Sequence, residues 1–297
     1  MTGAINIKTE VAPSRERAAG PWREGWRSFK KSKISLAGAG IVLFFILLAI
    51  FGSMIAPEGM NEQNLSNRLL APSSEHWFGT DDFGRDIFSR VIHGAIISLR
   101  VGFFSVILSV IVGSFLGIIA GYYGRWIDTI ISRIFDILLA FPSILLAIAI
   151  VAVLGPSLQN ALLAIAIINV PNFGRLIRSK VLSVKEEEYI VAAKAIGMRD
   201  SRILFSHILP NSMTPIIVQG TLAIATAIIE AAALGFLGLG AQAPAPEWGK
   251  MLADSRIYLI KAPWTMIFPG LAIMLTVLGF NLMGDGLRDA LDPKMKS

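Results

Sequence analysis

Residues 137–174 read ILLAFPSILLAIAIVAVLGPSLQNALLAIAIINVPNFG, 38 consecutive positions without a charged side chain. A single helix of that length would measure about 57 Å, nearly twice the roughly 30 Å hydrocarbon thickness of a bilayer. Its middle, Gly155-Pro156-Ser157-Leu158-Gln159-Asn160, puts a Gly-Pro pair ahead of polar residues, which is a turn signal. The stretch therefore reads as two antiparallel membrane-crossing helices, spans three and four. A chain built around such a hairpin is an integral membrane protein.

Working upstream, residues 125–136 form a short charged link, and a second span covers about 97–121 with Arg100 near its start. Residues 57–96 are an extracytoplasmic loop rich in charge. Ile34 to Pro57 runs 24 residues without a charge, which is too long for the roughly 7–15 apolar residues of a secretory signal. It reads as an uncleaved first span. The tail 1–33 carries eight Lys/Arg against three Glu, with a short interfacial helix expected around Trp22, Trp26 and Phe29. Downstream, 175–213 is a charged loop, 214–239 a fifth span, and 240–261 a polar, Pro-rich loop. Ala262 to Gly284 forms a sixth span of 23 uncharged residues, and 285–297 a charged tail. The expected architecture is an all-α polytopic membrane protein with about six spans, its transmembrane domain covering 34–284.

Composition agrees. Hydrophobic residues make up 54% of the chain and charged residues 16%, against roughly 25% charged in soluble domains. There is no cysteine, so no disulfide, thiolate metal site or thiol nucleophile can form. His76, His93 and His207 are scattered without metal-ligand spacing, so no metal site is expected. With six spans, the N-tail, the 122–133 link, the 175–213 loop and the C-tail share one side and hold 20 Lys/Arg, against 6 in the opposite loops. That bias puts both termini in the cytoplasm. It also accounts for the net charge of +6 without any nucleic acid.

Within the spans, Ser105, Ser109, Gly113, Gly117 and Gly121 recur every four residues, a stripe that lets another helix approach closely. Its expected role is helix packing, with pore lining as the alternative. Asp136 stands at the cytoplasmic start of span three and Glu230 well inside span five. An acid at the centre of a spanning helix costs roughly 2.5–3.5 kcal/mol on insertion scales and should face protein or water. Both are candidates for a translocation path, through contact with a cargo amino group. A helix-to-helix hydrogen bond or a gate hinge is the structural alternative.

Residues 186–211, EEEYIVAAKAIGMRDSRILFSHILPN, read as two short cytoplasmic helices meeting at Gly197, with Leu209-Pro210-Asn211 as a stop. An ordinary basic interhelical loop is the simpler alternative. The segment resembles the cytoplasmic loop of bacterial ABC importer permeases, EAA-x3-G-x9-I-x-L-P. Ala192-Ala193, Gly197 and Leu209-Pro210 fall at that spacing, with Val191 in the Glu place and His207 in the Ile place. Three further segments resemble the second permease subunit of dipeptide and oligopeptide importers: Phe78-Gly79-Thr80-Asp81-Asp82-Phe83-Gly84-Arg85-Asp86, Pro246-Glu247-Trp248-Gly249, and Asn281 to Pro293. The likeness covers roughly residues 26–295.

That resemblance implies a type I importer permease fold in a bacterial cytoplasmic membrane, with peptide cargo. It implies a second homologous permease subunit, two cytoplasmic ATPase subunits holding ATP and Mg, and an extracytoplasmic peptide-binding protein. ATPase coupling would fall to Ala192, Ala193, Lys194, Gly197, Arg199, Ser201, Arg202, Leu209 and Pro210. The chain itself carries no phosphate loop, since its one Gly-Lys pair, Gly249-Lys250, has Pro244 where the upstream glycine belongs. It reads as a transport subunit rather than an enzyme. A same-family permease for nickel, glutathione or another small solute is the alternative. A secondary transporter would be expected to show internal repeats and an intramembrane enzyme a catalytic constellation, and neither pattern is visible.

Overall fold

The computed structural model describes residues 21–291, with side chains from Gly25 onward. The tail over residues 1–20, the Trp22 side chain and the last residues of the charged C-terminal tail lie outside the described residues. Regular structure among the described residues is helical apart from one β-bridge, Thr80 to Asp86. The helices are α1 (Pro21–Lys31), α2 (Lys33–Ile55), α3 (Ile87–Tyr123), α4 (Arg125–Leu139), α5 (Ser143–Leu154) and α6 (Leu158–Val184). They continue with α7 (Glu188–Ala195), α8 (Asp200–Ile203), α9 (Leu209–Phe236), α10 (Trp248–Ser255) and α11 (Trp264–Leu291).

Five helical stretches are long and apolar enough to cross a bilayer: α2, α3, α6, the continuous run Asp200–Phe236, and α11. The sixth crossing is the bent pair α4–α5, whose halves meet at 94°. This corrects the expected span three. Residues 125–136 are not a link but most of α4, and Ile137–Leu139 are its last residues. Proline disfavours helical backbone at the residue before it, so the chain breaks around Phe141-Pro142. α5 alone has 12 residues, about 18 Å, too short to span.

Helix α3 also begins ten residues before the expected second span. Asp86 caps it, its Oδ2 accepting from the Ser89 backbone N–H at 2.7 Å, and the helix then runs 37 residues, about 55 Å. Its small-residue stripe lies against α6, so the packing expectation holds. Ser109 donates to the Ala166 carbonyl at 2.9 Å. A Cβ on Gly113 would sit 2.7 Å from the Val170 carbonyl oxygen, and one on Gly117 2.4 Å from that of Gly174. These are backbone-to-backbone approaches that no side chain can enter.

The core has three regions along this framework. Val101, Val106, Val151, Ile165, Phe173 and Leu234 join α3, α5, α6 and α9. Phe45, Ile87, Trp248 and Phe280 join α2, α3, α10 and α11. Ile177, Val181, Ile190, Ile203 and Ile208 form a cytoplasmic cluster beneath α7 and α8. The expected interfacial helix is α1: Phe29 is buried, and Trp26 stacks on it at 5.9 Å while staying exposed.

Candidate functional site

The cytoplasmic knob is built around one corner. α7 ends in a Schellman motif: Met198 N–H donates to Ala193 O and Gly197 N–H to Lys194 O, both at 3.0 Å. Gly197 sits at φ +77°, the left-handed region that only glycine enters without strain. Arg199 then caps α8.

The second helix does not stop at Leu209-Pro210-Asn211. It passes through a π-turn, Leu204–Ile208, and continues as α9 into the membrane. Proline lacks an N–H and its ring crowds the preceding turn, and a π-turn is one of the ways a helix absorbs that disturbance. Two side chains reach back to carbonyls of this turn: Asn211 Nδ2 donates to His207 O at 2.6 Å and Ser212 Oγ to Ile208 O at 2.9 Å. The second helix of the knob and span five are therefore one continuous rod, Asp200–Phe236.

The coupling candidates divide between two faces. Ala193 is buried in the cluster with Ile190 and Ile203, so its small size serves packing within this chain. Ala192, Lys194, Gly197, Arg199, Ser201, Arg202 and Pro210 are exposed, and Leu209 is half-buried. Among them stand three exposed apolar side chains: Val191, which holds the motif's Glu place, and two that the motif does not specify, Ile196 (79% exposed) and Phe205 (70% exposed). The knob is also clasped to the cytoplasmic end of α3. Tyr122 donates its hydroxyl to Asp200 Oδ1 at 2.5 Å, and Lys194 Nζ stands 5.1 Å over the Tyr122 ring. This clasp joins residues 78 positions apart, so no local pattern announces it.

The two membrane acids are placed differently. Asp136 is half-exposed and accepts from Arg175 Nη2 at 2.5 Å, so a cation of the same chain already neutralises it. With the bidentate Asp128–Arg178 pair it fastens α4 to α6. Glu230 is buried and accepts from Asn169 Nδ2 of α6 at 3.2 Å, with the Ser143 hydroxyl of α5 alongside. No Lys, Arg or His pairs with it among the described residues. Asn169 lies 11 residues, about 16 Å, below the α5–α6 turn. The carboxylate thus sits deep in the bundle, beside the break between α4 and α5.

The extracytoplasmic motifs form a fitted cover over the top of α3. Asp81 accepts from the Phe83 and Arg85 backbone N–H groups and from Arg85 Nε, at 2.6 to 3.0 Å. His76 Nδ1 lies 3.2 Å from Asp86 Oδ1, and Arg90 Nη1 donates to Met60 O at 2.8 Å. From the other loop, Glu247 caps α10, accepting from Gly249 N and Lys250 N. Trp248 is fully buried and donates Nε1–H to Val91 O at 3.0 Å.

Burial raises the Glu247, Asp82 and Glu58 carboxyls above their ordinary range, with Asp81 adding to the effect on Asp82 and Asp86 to that on Glu58. The folded chain then holds these protons to higher pH than the unfolded chain. Stability falls as pH rises through the window just above ordinary carboxylate values. Mild acidification from neutrality should therefore increase hydrogen-exchange protection, corrected for intrinsic rates, in residues 57–86 and 247–255. Decreased protection would contradict this assignment.

The described residues thus build a bundle of about six crossings with a knob clasped to the cytoplasmic end of α3. Residues 113–297 match the family described as binding-protein-dependent transport system inner membrane component, and residues 20–72 the N-terminal transmembrane domain of oligopeptide transport permease C. The chain belongs to this permease family. It is 68% identical over 280 residues to the dipeptide transport system permease protein DppC of Alkalihalophilus pseudofirmus, covering 94% of this chain and 92% of that protein. It is 50% identical over 294 residues to the glutathione transport system permease protein GsiD of Escherichia coli O6:K15:H31, covering 99% and 96%. The fold is similar to that of a chain in inward-facing conformations of the MetNI methionine ABC transporter, with TM-score 0.55 and 19% identity over 69% of this chain and 98% of that one. The expected importer permease fold is thereby borne out.

Proposed function

We propose that this chain forms half of the translocation path for ATP-driven import of dipeptides and short oligopeptides across the bacterial cytoplasmic membrane. The observation that carries the cargo is the 68% identity, across nearly the whole of both chains, to a permease named for dipeptide transport. A second homologous permease completes the path, an extracytoplasmic binding protein delivers the peptide, and two cytoplasmic ATPase subunits supply ATP and Mg chemistry. The knob is the contact for those ATPases. Its exposed Val191, Ile196 and Phe205 offer an apolar centre, and Arg199 and Arg202 a basic rim. Because α8 is one rod with α9, a push on it reaches Glu230. Glu230, without a cation of its own, receives the peptide ammonium in passing. Glutathione is the second reading, supported by the 50% identity over 99% of the chain, and is itself a modified tripeptide.

The test is reconstitution with the partner permease, ATPases and binding protein, followed by uptake of labelled dialanine and glutathione. Dialanine uptake should require ATP and the binding protein. Glu230→Gln keeps the acceptor for Asn169 but removes the charge. It should leave the complex assembled and lower uptake roughly tenfold or more, the worth of one charge-assisted hydrogen bond of ~1.5 kcal/mol or above. Preferential glutathione uptake would favour the second reading, ATP-independent uptake would overturn both, and wild-type uptake by Glu230→Gln would remove it from the path.

A further inference from the structure

The two extracytoplasmic loops do more than cover α3: they leave a cleft between them of about 150 Å³. Its walls are Arg85 and Arg90 from one side, Asp254 of α10 from the other, and Phe83 with Ala243 and Ala245 between. This is smaller than the roughly 300–1,000 Å³ typical of sites for drug-sized ligands. Of the charged groups that line it, Arg85 and Arg90 face Asp254; Asp81 and Asp82, which stand behind the same two arginines, and Lys250, paired with Asp254, bring the surrounding charges to three of each sign. A guanidinium carries five N–H donors. The structure commits Arg85 Nε to Asp81 and faces its Nη2 to Asp82 at 4.0 Å, and it commits Arg90 Nη1 to Met60 O with Nε 3.6 Å from Asp81, which leaves Arg85 Nη1 and Arg90 Nη2 uncommitted. Asp254 receives Lys250 on Oδ1, and its Oδ2 is uncommitted.

Free guanidinium donors on one wall and a free carboxylate oxygen on the other suit a small molecule with a carboxylate at one end and an ammonium at the other. A balanced local charge favours a ligand without net charge over a simple anion or cation. We infer that this cleft is an extracytoplasmic way station for a small zwitterionic peptide, its carboxylate on Arg85 and Arg90 and its ammonium on Asp254. The alanines and Phe83, which stacks under the Arg85 guanidinium at 4.7 Å, would receive the side chains. The inference rests on the peptide-import reading and places a second contact outside the membrane, ahead of Glu230.

The test uses the full permease pair in lipid nanodiscs without binding protein, with dialanine as the probe in saturation-transfer NMR. Ala243→Trp fills the cleft from an exposed position, and Asp254→Asn keeps an acceptor for Lys250 while removing the charge. Wild type should give dialanine signals that Ala243→Trp removes. N-acetyl-dialanine, which lacks the ammonium, should bind roughly tenfold more weakly to wild type, the worth of one charge-assisted contact, and Asp254→Asn should erase that difference. In the reconstituted importer, Ala243→Trp should keep binding-protein-stimulated ATP hydrolysis while losing dialanine uptake. Equal dialanine signals in wild type and Ala243→Trp, or equal binding of the two peptides to wild type, would overturn the site. Loss of stimulated hydrolysis together with uptake would overturn it in favour of a contact surface for the binding protein. Failure of the wild-type importer to take up any peptide would instead defeat the cargo reading, so the two failures are distinguishable.

Discussion

Gly117→Leu is expected to leave almost no monodisperse, folded chain in the membrane. The Cβ alone would stand 2.4 Å from the Gly174 carbonyl oxygen and 3.1 Å from the Ile177 Cβ, so α3 and α6 must separate along their whole shared seam. Overpacking a well-fitted core usually costs about 1–3 kcal/mol. Here the obstacle is backbone, which cannot swing aside, so the cost falls at or above the top of that range. Separating the helices would also break the Ser109 bond to Ala166 and open the α4–α6 ion pairs. Membrane insertion is not the weak step, because leucine makes span two more apolar. Gly40→Leu is the matched control: it adds the same side chain to span one, where nothing lies within 4 Å. Fluorescence-detected size exclusion of tagged variants should show Gly40→Leu near wild type and Gly117→Leu aggregated or degraded. Indistinguishable profiles for the two would refute the packing role of the stripe.

Gly197→Val is expected to lose transport while keeping the fold. An added Cβ at Gly197 meets no atom within 4 Å, so there is no steric obstacle in this chain. The cost lies in the backbone, where φ is +77° and a left-handed β-branched residue loses roughly 1–2 kcal/mol. That is about a 5- to 30-fold shift in a local equilibrium. The chain relieves it by opening the Schellman corner, which turns α7 away from α8 and withdraws Ile196 and Arg199 from the presented face. Asparagine tolerates left-handed backbone better than other non-glycine residues, so Gly197→Asn should retain most activity. The measurements are peptide uptake and binding-protein-stimulated ATP hydrolysis in the reconstituted importer, alongside the yield of assembled complex. Wild-type uptake by Gly197→Val would sink the coupling role of this corner, and equal loss in Gly197→Asn would show that the effect is not backbone conformation.

Much of this is legible in the sequence. Five of the spans are read from apolar runs because the cost of a charge in hydrocarbon is a local property of each residue. The corner at Gly197 is legible for a similar reason: helix formers, then glycine, then Arg-Asp make a C-cap and a new N-terminus within a few residues. The stripe from Ser105 to Gly121 announces close packing through its period alone.

What remained hidden depends on partners distant in sequence. Hydropathy does not show the 94° pair α4–α5, because Arg125, Asp128, Arg133 and Asp136 make α4 read as a charged link beside the uncharged α5. Pro210 read as a stop because a proline ends a helix unless the hydrogen bonds shift register, and the π-turn that shifts them forms while Ile203 and Ile208 are buried on α6. Ala192 and Ala193 are identical as letters. Only packing turns Ala193 inward and leaves Ala192 on the surface. Glu230 was visible as a costly acid, but its neighbours Asn169 and Ser143 come from two other helices. The sequence by itself determined the five straight spans, the charge bias between their loops and where the corner at Gly197 turns, because solvation and backbone conformation act residue by residue. The tertiary structure alone decided which helix each small residue admits, which buried carboxylate has no cation beside it among the described residues and where a cleft opens between loops, because those depend on residues brought together from different helices, 57 positions apart for Ser109 and Ala166, 61 for Asn169 and Glu230, and more than a hundred for Arg85 and Asp254.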